Sequence, residues 1–345
     1  MKYLWAYSIP VVAVTGFYFG GWAMYAVVFY AFVLLPLAEI LLPLQTENIS
    51  DDKAEKLSKK TLYDWMLYLN VPIVYGILLY ALQTVSNHNL SIFEFTGLVI
   101  STGIVFGANA INVAHELGHR DAFGERFLAK ILLWPSLYSH FYVEHNHGHH
   151  LDVGTPKDPS TAKFNQALYF FWIQSVFGTY FKAWKIQLKL NKSHHQNFLS
   201  TTNDMLMFTI FQLMYLLIVY LVFGETALLF AIVAAIVGML LLETINYIEH
   251  YGLRRKQLPS GRYERVAEIH SWNSNHTLGR IVLYELTRHS DHHYKSNKKY
   301  QLLHCHQTSP QLPFGYPTSM VLAFVPPLWF AIMNRRIPAE MRPNS

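Results

Sequence analysis

The sequence predicts an all-α integral membrane protein: six transmembrane helices with a helical cap on one side of the bilayer. Three observations carry this. Only 14% of the 345 residues are Asp, Glu, Lys or Arg, while 52% are hydrophobic. About a quarter of an ordinary soluble domain is charged, so this chain cannot cover a globular surface with charge. Six apolar stretches approach the roughly 20 residues that a helix needs to cross a bilayer core. All 27 Lys and Arg residues then fall on one side of the resulting topology. The composition excludes a disordered chain, collagen and a soluble coiled coil. The one cysteine, Cys305, excludes an internal disulfide and any centre built from several cysteines of this chain.

The spans are read at approximately 3–20, 22–44, 62–84, 92–113, 205–223 and 226–248. Gly20 and Gly21 separate the first two, and Gly224 and Glu225 the last two, so both pairs form tight hairpins. Ser86 to Ser91 make a short polar loop between the third and fourth. One basic residue, Lys2, precedes the first span, and four lie between spans two and three. Nine follow span four and thirteen follow span six. The positive-inside rule places both termini in the cytoplasm, together with the cap formed by residues 114–204 and 249–345. The basic charge therefore reads as orientation and as contact with anionic lipid heads, not as a nucleic-acid signal. Span one lacks a basic leader beyond Lys2 and a small-residue cleavage site, which argues for a retained span over a signal peptide.

Two further apolar stretches are read as non-spanning. Residues 165–184 are aromatic-rich and end in charge, fitting a helix that lies in the interface. Residues 313–333 contain Pro313, Pro317, Pro326 and Pro327, which break a helix. There is no internal repeat, and the chain reads as a single domain, 1–345.

Seventeen of the 18 histidines fall in the cytoplasmic regions. Four groups have ligand spacing: H-E-L-G-H-R from His115, E-H-N-H-G-H-H from Glu144, N-Y-I-E-H-Y-G from Asn246 and R-H-S-D-H-H from Arg288. On a helix, positions i, i+3 and i+4 share a face. His115 with His119, His145 with His149, and His289 with His292 and His293 can therefore each converge on one point. His150 adjoins the second group, and His250 adds a ligand from another helix. Nine imidazoles exceed what one ion takes and suit a dinuclear site with four or five each. Imidazole accepts iron, copper, nickel or zinc, so spacing alone leaves the metal open. The remaining histidines, His147, His270 and His276 among them, default to hydrogen-bonding or solvated roles.

These motifs resemble those of the membrane-bound alkane 1-monooxygenases, within the fatty-acid desaturase and hydroxylase superfamily. The resemblance covers nearly the whole chain and is most specific from Asn246 to His293, where N-Y-I-E-H-Y-G-L, G-R-Y-E and H-S-W-N-S-N-H occur. Arg120 after the first group, where Lys is common, and Thr287 before Arg288, where Gln is usual, depart from the pattern. The resemblance implies a membrane hydroxylase domain in the bacterial inner membrane, with two non-haem iron ions held by histidine. It implies O2-dependent hydroxylation of the terminal methyl of medium- or long-chain alkanes. It also implies two electrons from rubredoxin, separate or fused beyond this chain, and its flavin reductase. The alternatives are a related enzyme acting on methyl-arenes or acyl chains, of the xylene monooxygenase or desaturase type, and more distantly a membrane zinc protease.

Metal-bound imidazoles commonly donate their second N–H to a carboxylate or carbonyl. Glu116, Glu144, Asp152, Glu249 and Asp291 adjoin the groups, and Glu243 lies seven residues before His250, so these six are supporting candidates. Glu39 falls inside a span and is read as reaching the interface. Arg254, Arg255, Lys256, Arg262, Lys295, Lys298 and Lys299 form a basic cluster suited to steering an acidic electron carrier.

Overall fold

A computed structural model describes residues 2–342. Among the described residues, five helices are long and apolar enough to cross a membrane: Gly21–Leu41, Leu62–Asn87, Ile92–Gly118, Asp204–Phe223 and Glu225–His250. The stretch expected as the first span begins as a 3-10 helix, Lys2–Tyr7, and continues as an α-helix over Ser8–Phe19. The chain then turns at Gly20 and Gly21, whose φ values of 65° and 54° are readily adopted by glycine. No strand forms among the described residues, only the isolated bridges Gln257–Tyr263 and Asn273–Gln311.

The chain divides into two compact units. The first comprises Met1–Leu34, Thr61–Val143 and Ala183–Leu242. Ile92–Gly118 is its most buried spanning helix. A Cβ on Gly103 would run into Val237, and one on Gly238 would come within 2.8 Å of the Phe106 side chain. Small residues thus allow close backbone approach where apolar burial in lipid supplies little drive for packing. Several buried polar side chains in this unit are paired, as a lipid environment favours. Asn109 donates to Asn70 at 2.9 Å and to the Ala6 carbonyl at 3.2 Å, while Ser101 donates to the Met24 carbonyl at 2.6 Å. Asp204–Phe223 is largely exposed, with Leu213, Leu217, Leu221 and Val222 on its surface. Trp22 is exposed as well, packed edge-on against Phe93.

The second unit comprises Leu35–Lys60, Glu144–Lys182 and Glu243–Ser345. Its helices include Asp51–Ser58, Thr277–Val282 and His289–Tyr294. The proline-rich stretch forms two short helices, Tyr316–Ala323 and Pro326–Met333, each with proline in its first turn. Residues 165–184 lie largely within a longer helix, Leu168–Ser193. The unit is pinned by buried arginines. Arg288 donates to the carbonyls of Leu303, Gln45 and Glu47, and Arg280 pairs with Glu285 at 2.7 Å. Glu39 does not reach out to an interface. It is buried here, and its carboxylate accepts the Gly279 N–H at 2.7 Å.

Candidate metal centre

Four imidazoles of the second unit meet at one place. Donor nitrogens of His149, His250, His289 and His293 lie within 4.8 Å of one another. Nε2 of His289 is 3.1 Å from Nε2 of His250 and 2.9 Å from Nε2 of His293. All four residues are buried. His250 is the last residue of Glu225–His250, which ends because Gly252 adopts φ 70° and donates its N–H to the Ala162 carbonyl at 2.9 Å. His289 and His293 lie one turn apart on His289–Tyr294.

A second set forms from the same segments. His145, His150 and His292 also bring donor nitrogens within 4.8 Å. His150 Nε2 is 3.0 Å from His145 Nε2 and 3.1 Å from His292 Nε2. The sequence spacing had paired His145 with His149, but they belong to different sets. The reason is local: His145–His149 is a π-helical turn between His140–Glu144 and His150–Asp152. The wider turn brings i and i+5 together, so His145 meets His150. Likewise His292 faces one set, and His289 and His293 the other. In the first unit, His115 and His119 stand at the end of Asn112–Gly118, rings 5.2 Å apart and edge to face. A π-turn, Phe106–Ile111, precedes them.

The donors suit a metal ion. Burial and the surrounding imidazoles push the His293 pKa well below the usual histidine range, leaving a neutral ring. Nε2 of His149 is buried and has no hydrogen-bond partner among the described residues, while its Nδ1 lies 2.9 Å from Asp158. That pairing leaves Nε2 as the free donor.

Comparison with known proteins supplies the family. Residues 89–321 match the fatty acid desaturase family. The chain is 35% identical to alkane 1-monooxygenase 1 of Alcanivorax borkumensis over 97% of its own length and 85% of the relative's. It is also 35% identical to the alkane 1-monooxygenase of Ectopseudomonas oleovorans, with the same coverage. The chain belongs to the alkane 1-monooxygenase family. It is accordingly an oxidoreductase, a monooxygenase, with a His-rich site and the helices of an integral membrane protein. A more distant relative, at 28% identity over 95% of the chain, is the xylene/toluene monooxygenase hydroxylase component of Pseudomonas putida.

The carboxylates of this monooxygenase sort themselves by contact. Glu249 reaches a clustered ring: its Oε2 is 3.2 Å from His289 Nε2. Glu144 and Asp152 both meet Lys182, at 3.0 and 3.1 Å. Glu116 pairs with Arg120 at 2.7 Å, and Glu243 accepts from the Ser175 hydroxyl and Asn246. Asp291 adjoins His292 in sequence, but its oxygens are taken by Lys298, the His304 N–H and His306, each at 2.7 Å. Asp158 was not among the sequence candidates. It stands nine residues beyond His149 in a turn, where helical spacing gives no signal. Burial opposes its charge, but His149, Lys182 and the Thr161 hydroxyl outweigh burial and lower its pKa.

The basic cluster is only partly free for a partner. Arg255 donates to the Leu151 carbonyl at 2.8 Å, and Lys298 is paired with Asp291. Arg254, Lys256, Arg262 and Lys295 are exposed, and Lys299 is half-buried. A cavity of about 510 Å³ opens beside Asp158, bordered by Lys157, Lys163 and Arg254. Among the default histidines, His147 is exposed, His276 bonds Ser274, and His270 accepts the Ala267 N–H while facing Glu264.

Proposed function

We propose that this chain is a non-haem di-iron monooxygenase of the bacterial inner membrane. It converts the terminal methyl of medium- or long-chain alkanes to a primary alcohol. The balance is one alkane, one O2, two electrons and two protons giving one alcohol and one water. The observation that carries this reading is the clustering of imidazoles into two sets, one of them fully buried, in a chain 35% identical to alkane 1-monooxygenases.

In this reading His149, His250, His289 and His293 hold one ion. His145, His150 and His292 would hold the other, and the first histidine motif offers His115 and His119 as further imidazoles. When bound, the two irons supply the O2 activation that a strong C–H bond requires. The protein's part is support and exclusion. Imidazole donors add no negative charge of their own to a bound ion. Asp158 fixes the His149 tautomer, and the His270 carbonyl lies 3.4 Å from His250 Nδ1 and orients that ring. Burial keeps water away from the donors. An alkane offers no hydrogen-bonding handle, so apolar side chains alone must hold the methyl group in place.

Six spans with cytoplasmic termini fit the charge separation. A six-residue 3-10 segment followed by twelve α-helical residues reaches about 30 Å, one bilayer core. Electrons then come from rubredoxin, reduced by its flavin reductase, docking on the exposed cations Arg254, Lys256, Arg262 and Lys295. Lys157 and Lys163 beside Asp158 extend that surface.

The test is metal analysis followed by product analysis. Two irons per chain and 1-octanol from octane, with rubredoxin and its reductase supplied, are expected. One zinc per chain with no hydroxylation would overturn the reading. The 28% relative favours a second reading, a methyl-arene substrate. Xylene turned over in preference to octane would select it.

A further inference from the structure

We propose that Glu249 gives a carboxylate oxygen to the four-imidazole set, and that Tyr316 is the residue that positions it. The inference rests on the metal-centre reading above. It begins with one crowded nitrogen. Nε2 of His289 has Nε2 of His250 at 3.1 Å, Nε2 of His293 at 2.9 Å and Oε2 of Glu249 at 3.2 Å. A ring nitrogen offers one hydrogen or one lone pair, so it cannot bond all three. Donors about 2.1 Å from one ion and at right angles to each other are about 3 Å apart. The three distances therefore describe ligands sharing a cation better than a hydrogen-bond network.

Charge points the same way. Glu249 is 1% exposed. No Lys or Arg pairs with it among the described residues. A buried carboxylate without a cation is costly, and a bound metal ion would supply the missing charge. The second oxygen is already committed: Oε1 accepts the Tyr316 hydroxyl at 2.7 Å. Tyr316 is fully buried and opens the helix Tyr316–Ala323. The turn before it is held in place, because Gly315 packs directly on the Glu39 carboxylate and Glu39 also accepts the Gly279 N–H. A line of contacts thus runs from Glu39 through Gly315 and Tyr316 to Glu249, and leaves Oε2 facing the imidazoles. Sequence spacing suggested Glu249 only as a supporting group and gave no role to Tyr316.

The test uses purified full-length protein loaded with cobalt(II), whose visible bands report coordination, followed by a chelator challenge. Wild type should hold two ions. Tyr316→Phe, which removes one hydroxyl and little volume, should still take up two. It should then lose one of them about tenfold faster, in the range found for disrupted support of a metal ligand. Glu249→Gln should lose the same ion faster still, with altered bands, and Glu249→Asp should recover part of the wild-type spectrum. His147→Ala, an exposed control, should behave as wild type. If Tyr316→Phe and Glu249→Gln keep wild-type release rates and bands while wild type holds two ions, this proposal fails and the metal centre stands. A wild-type protein that binds no metal overturns both.

Discussion

His250 is the residue on which the ligand count turns, since it belongs to no multi-histidine motif. A helix-end histidine that only bonds a carbonyl contributes about 1 kcal/mol. His250 instead puts Nε2 against His289 inside the four-imidazole set. We expect His250→Ala to insert normally, to lose one ion and to abolish hydroxylation. His276→Ala, whose ring bonds Ser274, should keep both ions. Two irons and near-normal turnover in His250→Ala would favour an eight-histidine site. Asp158 offers a subtler test. Asp158→Asn keeps an oxygen near His149 Nδ1 but removes the charge, so affinity for one ion should fall about 10- to 100-fold in a chelator titration. At this scale the imidazoles were legible because histidine clusters stand out in an apolar chain. Asp158 and Tyr316 were not, because one reaches the site from a turn and the other from the first residue of a short helix, an approach that no periodicity encodes.

Helix register decides how the motifs are shared between the two sets. Regular α-helical spacing assigns His145 and His149 to one point, and the π-turn at His145–His149 separates them. A π-turn leaves no mark in hydrophobic pattern, so this division could not be read from sequence. Five of the six expected spans were far more legible, because apolar runs bounded by glycine turns and polar loops set their limits, whereas the expected first span forms only a short 3-10 segment and a twelve-residue α-helix. Their close packing has its own consequence. A Cβ on Gly238 would stand 2.8 Å from Phe106 Cβ and 3.1 Å from the Gly103 carbonyl. Neither neighbour is a flexible tip, so Gly238→Ala forces helix displacement at a cost of about 1–3 kcal/mol. Thermal unfolding in detergent should show a clear drop in midpoint. Gly124→Ala, with open space around it, should show none.

The whole chain is organised by where its charge lies. Apolar length identifies helices able to cross a bilayer, but only the placement of all 27 basic residues orients them. The proposed orientation has a functional corollary: the histidine sets and the exposed cations Arg254, Lys256, Arg262 and Lys295 would share the cytoplasmic side with the proposed soluble electron donor. Two measurements test this arrangement together. In a Cys305→Ser background, single cysteines at Asn87 and Glu225, both exposed, should label from outside the cell, and those at Lys59 and Lys157 only after permeabilisation. A site at Lys157 that labels from outside would invert the topology. Steering between exposed charges is screened within about 10 Å at 0.1 M salt, so donor-driven turnover should fall as ionic strength rises. The double variant Lys256→Glu and Arg262→Glu should raise the apparent KM for the donor several-fold and flatten that salt dependence, leaving the alkane KM unchanged. Lys298→Glu should act differently, because Lys298 is bound to Asp291 beside His292. Its loss should disturb metal retention more than donor affinity. A double variant with unaltered donor KM and salt response would place the docking surface elsewhere, with the cavity bordered by Lys157, Lys163 and Arg254 the next to be mutated.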